Sequence, residues 1–241
     1  MKVYRWGYKT PLKGEIMFLD EKIQAQVREM LAPIKTPVEV VVFTTAGLEL
    51  PGQEVGLQEE TLGLLKEVVA LNPHLSLEQR SIHSDPEAQA LGLSYAPTIL
   101  LREKGSERNN IRFLGLPAGY EFSTLIETLL MLGTGESKLG EKSQADLQKV
   151  ASPVRMQAFV TPTCPYCPQA VLATYKLAYH NPNIIAEGVE ASEFPQLSRR
   201  YNISGVPDTI ISGATQQRIL GGQPDRVFVE AAIKASAGVV A

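Results

Sequence analysis

The sequence predicts an α/β protein built twice over: two tandem units, each a central mixed β-sheet flanked by helices. An internal repeat that runs almost the whole chain carries this reading. So does the order of elements within each copy, strand–helix–strand–helix followed by strand–strand–helix.

The repeat rests on four matches in one order. Pro37-Val38-Glu39-Val40-Val41-Val42-Phe43 lines up with Pro153-Val154-Arg155-Met156-Gln157-Ala158-Phe159, and Asn72-Pro73 with Asn181-Pro182. Ser94-Tyr95-Ala96-Pro97-Thr98-Ile99 then matches Ser204-Gly205-Val206-Pro207-Asp208-Thr209, and Arg112-Phe113-Leu114-Gly115 matches Arg218-Ile219-Leu220-Gly221. The spacing shrinks along the chain, as loop insertions in the first copy would cause.

In the second copy, Val154–Val160 is an apolar strand and Pro168–His180 has helical spacing through Val171, Leu172, Tyr175 and Leu177. A strand at Asn183–Glu190, a short helix at Glu193–Tyr201 and a strand at Thr209–Ser212 follow. Arg218–Leu220 is a short strand closed by Gly221-Gly222, and Pro224–Ala235 is the last helix. The first copy has strands at Val38–Phe43, Ser76–His83, Thr98–Arg102 and Ile111–Leu114, and its last helix is Tyr120–Leu132. Ahead of it lies a helix from Asp20 to Leu31, with Asp20 as N-cap and Pro33 beyond its end. Gly133-Thr134-Gly135-Glu136-Ser137 breaks the chain, and a polar helical stretch at Gln144–Val150 leads into the second copy. The boundary is placed at 135, giving units 1–135 and 136–241.

Composition narrows the function. A net charge of −3 gives no electrostatic footprint for nucleic acid or an anionic membrane. No apolar run reaches the roughly 18 residues of a membrane span, and the start of the chain lacks a signal-like apolar stretch, so a cytoplasmic location is expected. The 2 cysteines of the chain are Cys164 and Cys167, so each is the other's obvious partner. A disulfide-stapled secreted fold needs more cysteines, and a zinc site needs two more ligands. No metal is expected.

Cys164-Pro165-Tyr166-Cys167 follows a strand and heads a helix, where unsatisfied N–H groups and the helix dipole favour a thiolate. Cys164 is the expected exposed attacking thiol, and Cys167, one turn further in, the resolving one. Pro165 suits a first helical turn, and Pro168 is still within it. A metal half-site, a cluster shared between two copies and a purely structural disulfide are the competing readings; redox exchange outweighs them. Pro207 at the head of a strand is the second feature. If its bond is cis, the Val206 backbone turns toward the cysteines and can pair with a substrate peptide as an added strand.

These residues resemble the thioredoxin superfamily. Phe159-Val160-Thr161-Pro162-Thr163-Cys164-Pro165-Tyr166-Cys167, Gly205-Val206-Pro207 and Gly221-Gly222 look like a glutaredoxin-type unit. The doubled layout is similar to the protein disulfide oxidoreductases of thermophiles and to the N-terminal domain of the alkyl hydroperoxide reductase flavoprotein. The resemblance implies a redox-active Cys164–Cys167 disulfide as the only cofactor and protein disulfides as substrates. It implies electrons from a flavin-dependent thioredoxin reductase. It places substrate against Pro165, Tyr166, Val206, Pro207, Gly221 and Gly222. Gly221-Gly222-Gln223-Pro224-Asp225 looks like the glutathione-holding end of glutaredoxins, which keeps a glutathione-dependent activity as the alternative. A non-enzymatic binding or cluster-bridging module is the third reading.

The chain departs from the family in two places. The first copy has Leu48-Glu49-Leu50-Pro51 where a Cys-x-x-Cys is expected, and Ala158 stands where thioredoxins carry a buried Asp, six residues before the nucleophile. Glu121 matches an acidic position of the doubled family and is the candidate proton-transfer acid, against the equal reading of an exposed helix N-terminal glutamate stabilised by the dipole. The direction of exchange, reduction, oxidation or isomerisation, is not set by these residues.

Overall fold

The structure, a computed structural model, describes residues 17–45 and 56–237. In chain order the elements of the first half are α1 (Glu21–Leu31), β1 (Val38–Thr44), α2 (Gly56–Val69), β2 (Leu75–Ser81), α3 (Pro86–Ala90), β3 (Thr98–Glu103), β4 (Ile111–Leu114) and α4 (Glu121–Thr134). The second half has α5 (Glu141–Leu147), β5 (Val154–Val160), α6 (Cys167–His180), β6 (Ile184–Glu190), α7 (Pro195–Arg200), β7 (Asp208–Ser212), β8 (Gln216–Leu220) and α8 (Asp225–Ser236). The expected α/β class and the parallel start with a terminal hairpin in each half are both present. Leu48–Pro51 lies outside the described residues.

The described strands form one eight-stranded sheet in the order β2-β1-β3-β4-β6-β5-β7-β8. Each half thus has the same internal order, a parallel pair followed by two antiparallel strands. The halves join where β4 runs parallel to β6, Ile111 opposite Ala186 and Leu114 opposite Val189. On one face, α1, α2, α4, α5, α6 and α8 cover a continuous apolar core that contains both cysteines. Among the described residues the other face carries α3 and α7, each over a small cluster. Among the described residues no helix is long and apolar enough to cross a membrane.

The Asn-Pro match has a physical reason. Asn72 donates its amide to Leu31 O at the end of α1 and accepts from His74 N. Asn181 donates to Leu147 O and Val150 O at the end of α5 and accepts from Asn183 N. Each asparagine fastens the turn before a strand to the helix that opens its half, and both are buried.

Most boundaries shift by one or two residues, and three of the differences have a clear local reason. The helix expected at Gln144–Val150 begins earlier, at Glu141, with Gly140 in extended conformation ahead of it. The helix expected at Glu193–Tyr201 shrinks to Pro195–Arg200: Glu193 bonds across to Leu116 N, and Pro195, lacking an N–H, suits the first helical position. Helix α6 begins at Cys167, so Pro165 lies in the turn before it and Pro168 takes the first-turn place.

Polar groups lock the seam between the halves. Glu187 of β6 is 1% exposed and meets Arg112 of β4 at 3.4 Å, Arg155 at 2.9 Å and the Gln157 amide at 3.0 Å. The Asn110 amide donates to Ala178 O and Ile184 O, and the Tyr175 hydroxyl donates to Arg112 O. Every buried charge here has a partner, as a low-dielectric site requires.

Candidate active site

Cys164 and Cys167 form a disulfide with Cα atoms 5.5 Å apart. The sulfurs sit where β5 ends and α6 begins. Cys164 N donates to Thr161 O and Cys167 N to Cys164 O, so the motif is a tight turn leading into the helix. Cys164 is 9% exposed and Cys167 0%. Cys164, expected to be exposed, is thus almost buried, though it is the less buried of the two, and it sits at the positive end of the α6 dipole. Tyr166 is 67% exposed beside it, and Pro165 is exposed too.

The structure brings the other expected contact residues to the same place. Val206-Pro207 is a cis peptide, and Val206 packs against the core that holds the cysteines. Gly221 N donates to Pro207 O at 2.8 Å, and Gly221 has φ +75, a conformation glycine adopts without cost. A Cβ on Gly222 would come within 3.0 Å of the Tyr166 carbonyl. The glycine pair thus touches both the proline loop and the cysteine turn. Among the described residues, Ser204, Gly205 and Val206 find no backbone hydrogen-bond partner, although β7 starts two residues later. Their N–H and C=O groups are free for a partner strand.

The first half has the same loop. Ala96-Pro97 is also cis, and Gly115 N donates to Pro97 O at 2.9 Å. There, however, the Thr98 hydroxyl takes the carbonyl of Tyr95, and the Tyr95 ring packs edge-on to Phe194 with centroids 5.7 Å apart.

Glu121 opens α4 and is 1% exposed. One carboxylate oxygen accepts from the Thr124 hydroxyl at 2.8 Å and the other has no partner among the described residues. Burial raises its pKa to about 8, opposed by the Thr124 hydrogen bond. The residue before it, Tyr120, donates its N–H to Pro162 O at 2.9 Å, two residues ahead of Cys164. Gly119 lies so close to the Pro162 carbonyl that a Cβ there would overlap it. Ala158 is fully buried and faces Thr209 across the ladder, with no acid of its own.

Sequence reasoning missed two features of this region. Leu220, 63% exposed, stands next to Gly221; an apolar residue ending an edge strand was the available signal. Glu193 is the second: burial raises its pKa to about 7, against the Leu116 N–H it accepts, with Glu190 and Glu60 adding to the rise. No local pattern marks it, because Leu116 is distant in sequence. Among the described residues no group of three or more His, Cys, Asp or Glu could hold a metal ion.

Residues 154–234, about a third of the chain, match the thioredoxin domain family, and the fold with a Cys-x-x-Cys at a strand–helix junction beside a cis-proline loop is of the thioredoxin-superfamily type. The disulfide of that motif is Cys164–Cys167. The chain's fold is similar to that of a protein disulfide oxidoreductase from Aeropyrum pernix K1, with a TM-score of 0.79, 29% identity, and 94% of this chain and 98% of that one covered. It is also similar to the alkyl hydroperoxide reductase AhpF of Enterococcus faecalis V583, as its C503A mutant, with a TM-score of 0.78, 27% identity, and 89% and 99% covered. Among curated proteins, 81% of the chain matches the AhpF-type alkyl hydroperoxide reductase of Pseudomonas aeruginosa at 26% identity, and 82% matches an NADH dehydrogenase of Bacillus subtilis at 23%. The chain spans about a third of the length of those relatives, 34% and 35%.

Proposed function

We propose that this chain exchanges electrons with protein disulfides through a mixed disulfide on Cys164 that Cys167 resolves. The observation that supports this best is the free backbone of Ser204–Val206 in the cis-proline loop, where Val206 packs against the core that holds the cysteines, which suits a substrate peptide added as a strand. In the reducing direction the Cys164 thiolate attacks one substrate sulfur. The other substrate sulfur leaves as a thiolate and takes a proton. Cys167 gives its proton to Glu121 and attacks Cys164, the second substrate sulfur leaves, and the pair ends oxidised with two electrons passed to the substrate. The opposite direction reverses each step. A carboxyl titrating near 8 is matched to a thiol and can take or return that proton. Pro165, Tyr166, Val206, Pro207, Gly221 and Gly222 form the contact surface.

On this reading the chain divides near residue 135, and the first half has kept its fold to shape the second half's surface. We assign electron supply to a flavin-dependent reductase, in keeping with the alkyl hydroperoxide reductases that the chain resembles. Glutathione is the less supported donor, because Asp225, the acid expected to hold it, is engaged by Lys176 at 3.1 Å. Insulin reduction with dithiothreitol tests the function. Cys164→Ser should abolish the catalysed rate; an undiminished rate in that variant refutes the reading, and faster turnover of a glutathione mixed disulfide than of insulin moves the assignment to glutathione.

A further inference from the structure

Beside the free backbone of Ser204–Val206 lies an open groove of about 680 Å³ lined by Ala191, Pro195, Ser198, Arg199, Asn202, Ile203 and Ser204. Its walls are fixed at the cysteine end of the sheet. Ala191 N donates to Val160 O, the last residue of β5, and Ile203 N donates to Ser198 O of α7. Below it, Phe194 and Leu197 anchor α7 in a buried apolar cluster, so the groove is preformed.

The charges around it are one-sided. Arg199 and Arg200 end α7 and are exposed. Arg199 has no ion pair or hydrogen-bonded side-chain partner among the described residues, and Arg200 meets only the ring of Tyr201, 5.6 Å from its centroid. The acids nearby face inward: Glu190 binds the Ser192 hydroxyl and Glu193 N, and Glu193 binds Leu116 N. Arg218, close by, is neutralised by Asp208. A chain with net charge −3 thus presents the unpaired Arg199 guanidinium at the edge of a mostly apolar hollow, with exposed Arg200 next to it in sequence.

We propose that this groove selects protein substrates that carry acidic side chains a few residues from the reactive cysteine. The inference rests on the disulfide-exchange reading above. A substrate strand paired with Val206 and Gly205 continues past Ser204 into the groove at about 3.3 Å per residue. Positions three and four from its cysteine then lie near Ile203 and Arg199. An acidic side chain there gains attraction from Arg199, which no internal acid satisfies, and from the positive charge of its neighbour Arg200, and a basic one is repelled.

The test uses short peptide disulfides with Asp, Asn or Lys at positions three and four on either side of the cysteine, reduced by the full chain. The expected kcat/KM for Asp over Lys is at least five-fold, falling in high salt. The double variant Arg199→Glu, Arg200→Glu should invert the preference, and Arg226→Glu on α8 should leave it unchanged. Equal rates for Asp and Lys peptides, or a preference untouched by the double variant, overturn this inference and leave disulfide exchange standing. Loss of a dimer in the double variant assigns the groove to a second copy of the chain and overturns it as well. No exchange with any peptide overturns the disulfide-exchange reading and this inference together.

Discussion

Tyr120 donates its backbone N–H to the carbonyl of Pro162 at 2.9 Å, so the start of α4 in the first half is tied to the loop that presents Cys164 in the second. Glu121 follows directly and is buried at that junction. The half without cysteines among its described residues therefore helps to build the redox site of the other.

Stability should fall with rising pH because of Glu121. Its folded pKa, about 8, lies above the usual carboxylate value of 4.5, so the folded state holds a proton that the unfolded state releases. The contribution is fully present below pH 4.5 and is lost as pH rises toward 8. At about 1.4 kcal/mol per pH unit, the effect is on the order of a few kcal/mol. Urea unfolding of Glu121→Gln should show a flatter profile and a gain in relative stability at pH 8. Its exchange rate should fall by about 100-fold if the carboxyl carries the proton. An unchanged rate and unchanged thiol pKa would remove Glu121 from the mechanism.

Gly119→Ala should cost more than Gly92→Ala, although both glycines have positive φ, +61 and +63. At Gly92 a Cβ meets nothing within 4 Å, so only the backbone strain of about 1 kcal/mol applies. At Gly119 the Cβ collides with the Pro162 carbonyl, and a loss of about 2–3 kcal/mol is expected. The exchange rate should drop as well, since the cysteine turn must shift. Chemical denaturation beside an insulin assay checks both effects.

Arg112→Ala should destabilise the chain by about 2–3 kcal/mol in urea unfolding, because it leaves buried Glu187 with fewer partners. The loss stays below that of a fully orphaned charge, since Arg155 and Gln157 still reach the carboxylate. Equal stability would mean that the seam holds by the β4–β6 ladder and apolar packing alone.

The duplication was legible because the repeated residues do local work that each half needs. Asn72 and Asn181 fasten turns, and Pro97 and Pro207 open strands onto which Gly115 and Gly221 close. Cys164 and Cys167 were legible from spacing alone. The joining of both halves into one sheet was not, because the β4–β6 pairing rests on residues far apart in sequence. Burial of Glu121 was hidden for the same kind of reason: its position at a helix start reads as exposed until Pro162 closes over that turn. The two proline loops differ at single residues: Thr98 donates its hydroxyl to Tyr95 O, whereas Asp208 accepts from Arg218.

Trapping the mixed disulfide tests the central claim most directly. Cys167→Ser, incubated with an oxidised protein substrate, should accumulate a covalent adduct through Cys164 that mass spectrometry detects and dithiothreitol releases, whereas Cys164→Ser should form none. An adduct through Cys167 in the Cys164→Ser variant, with none through Cys164, would contradict the account.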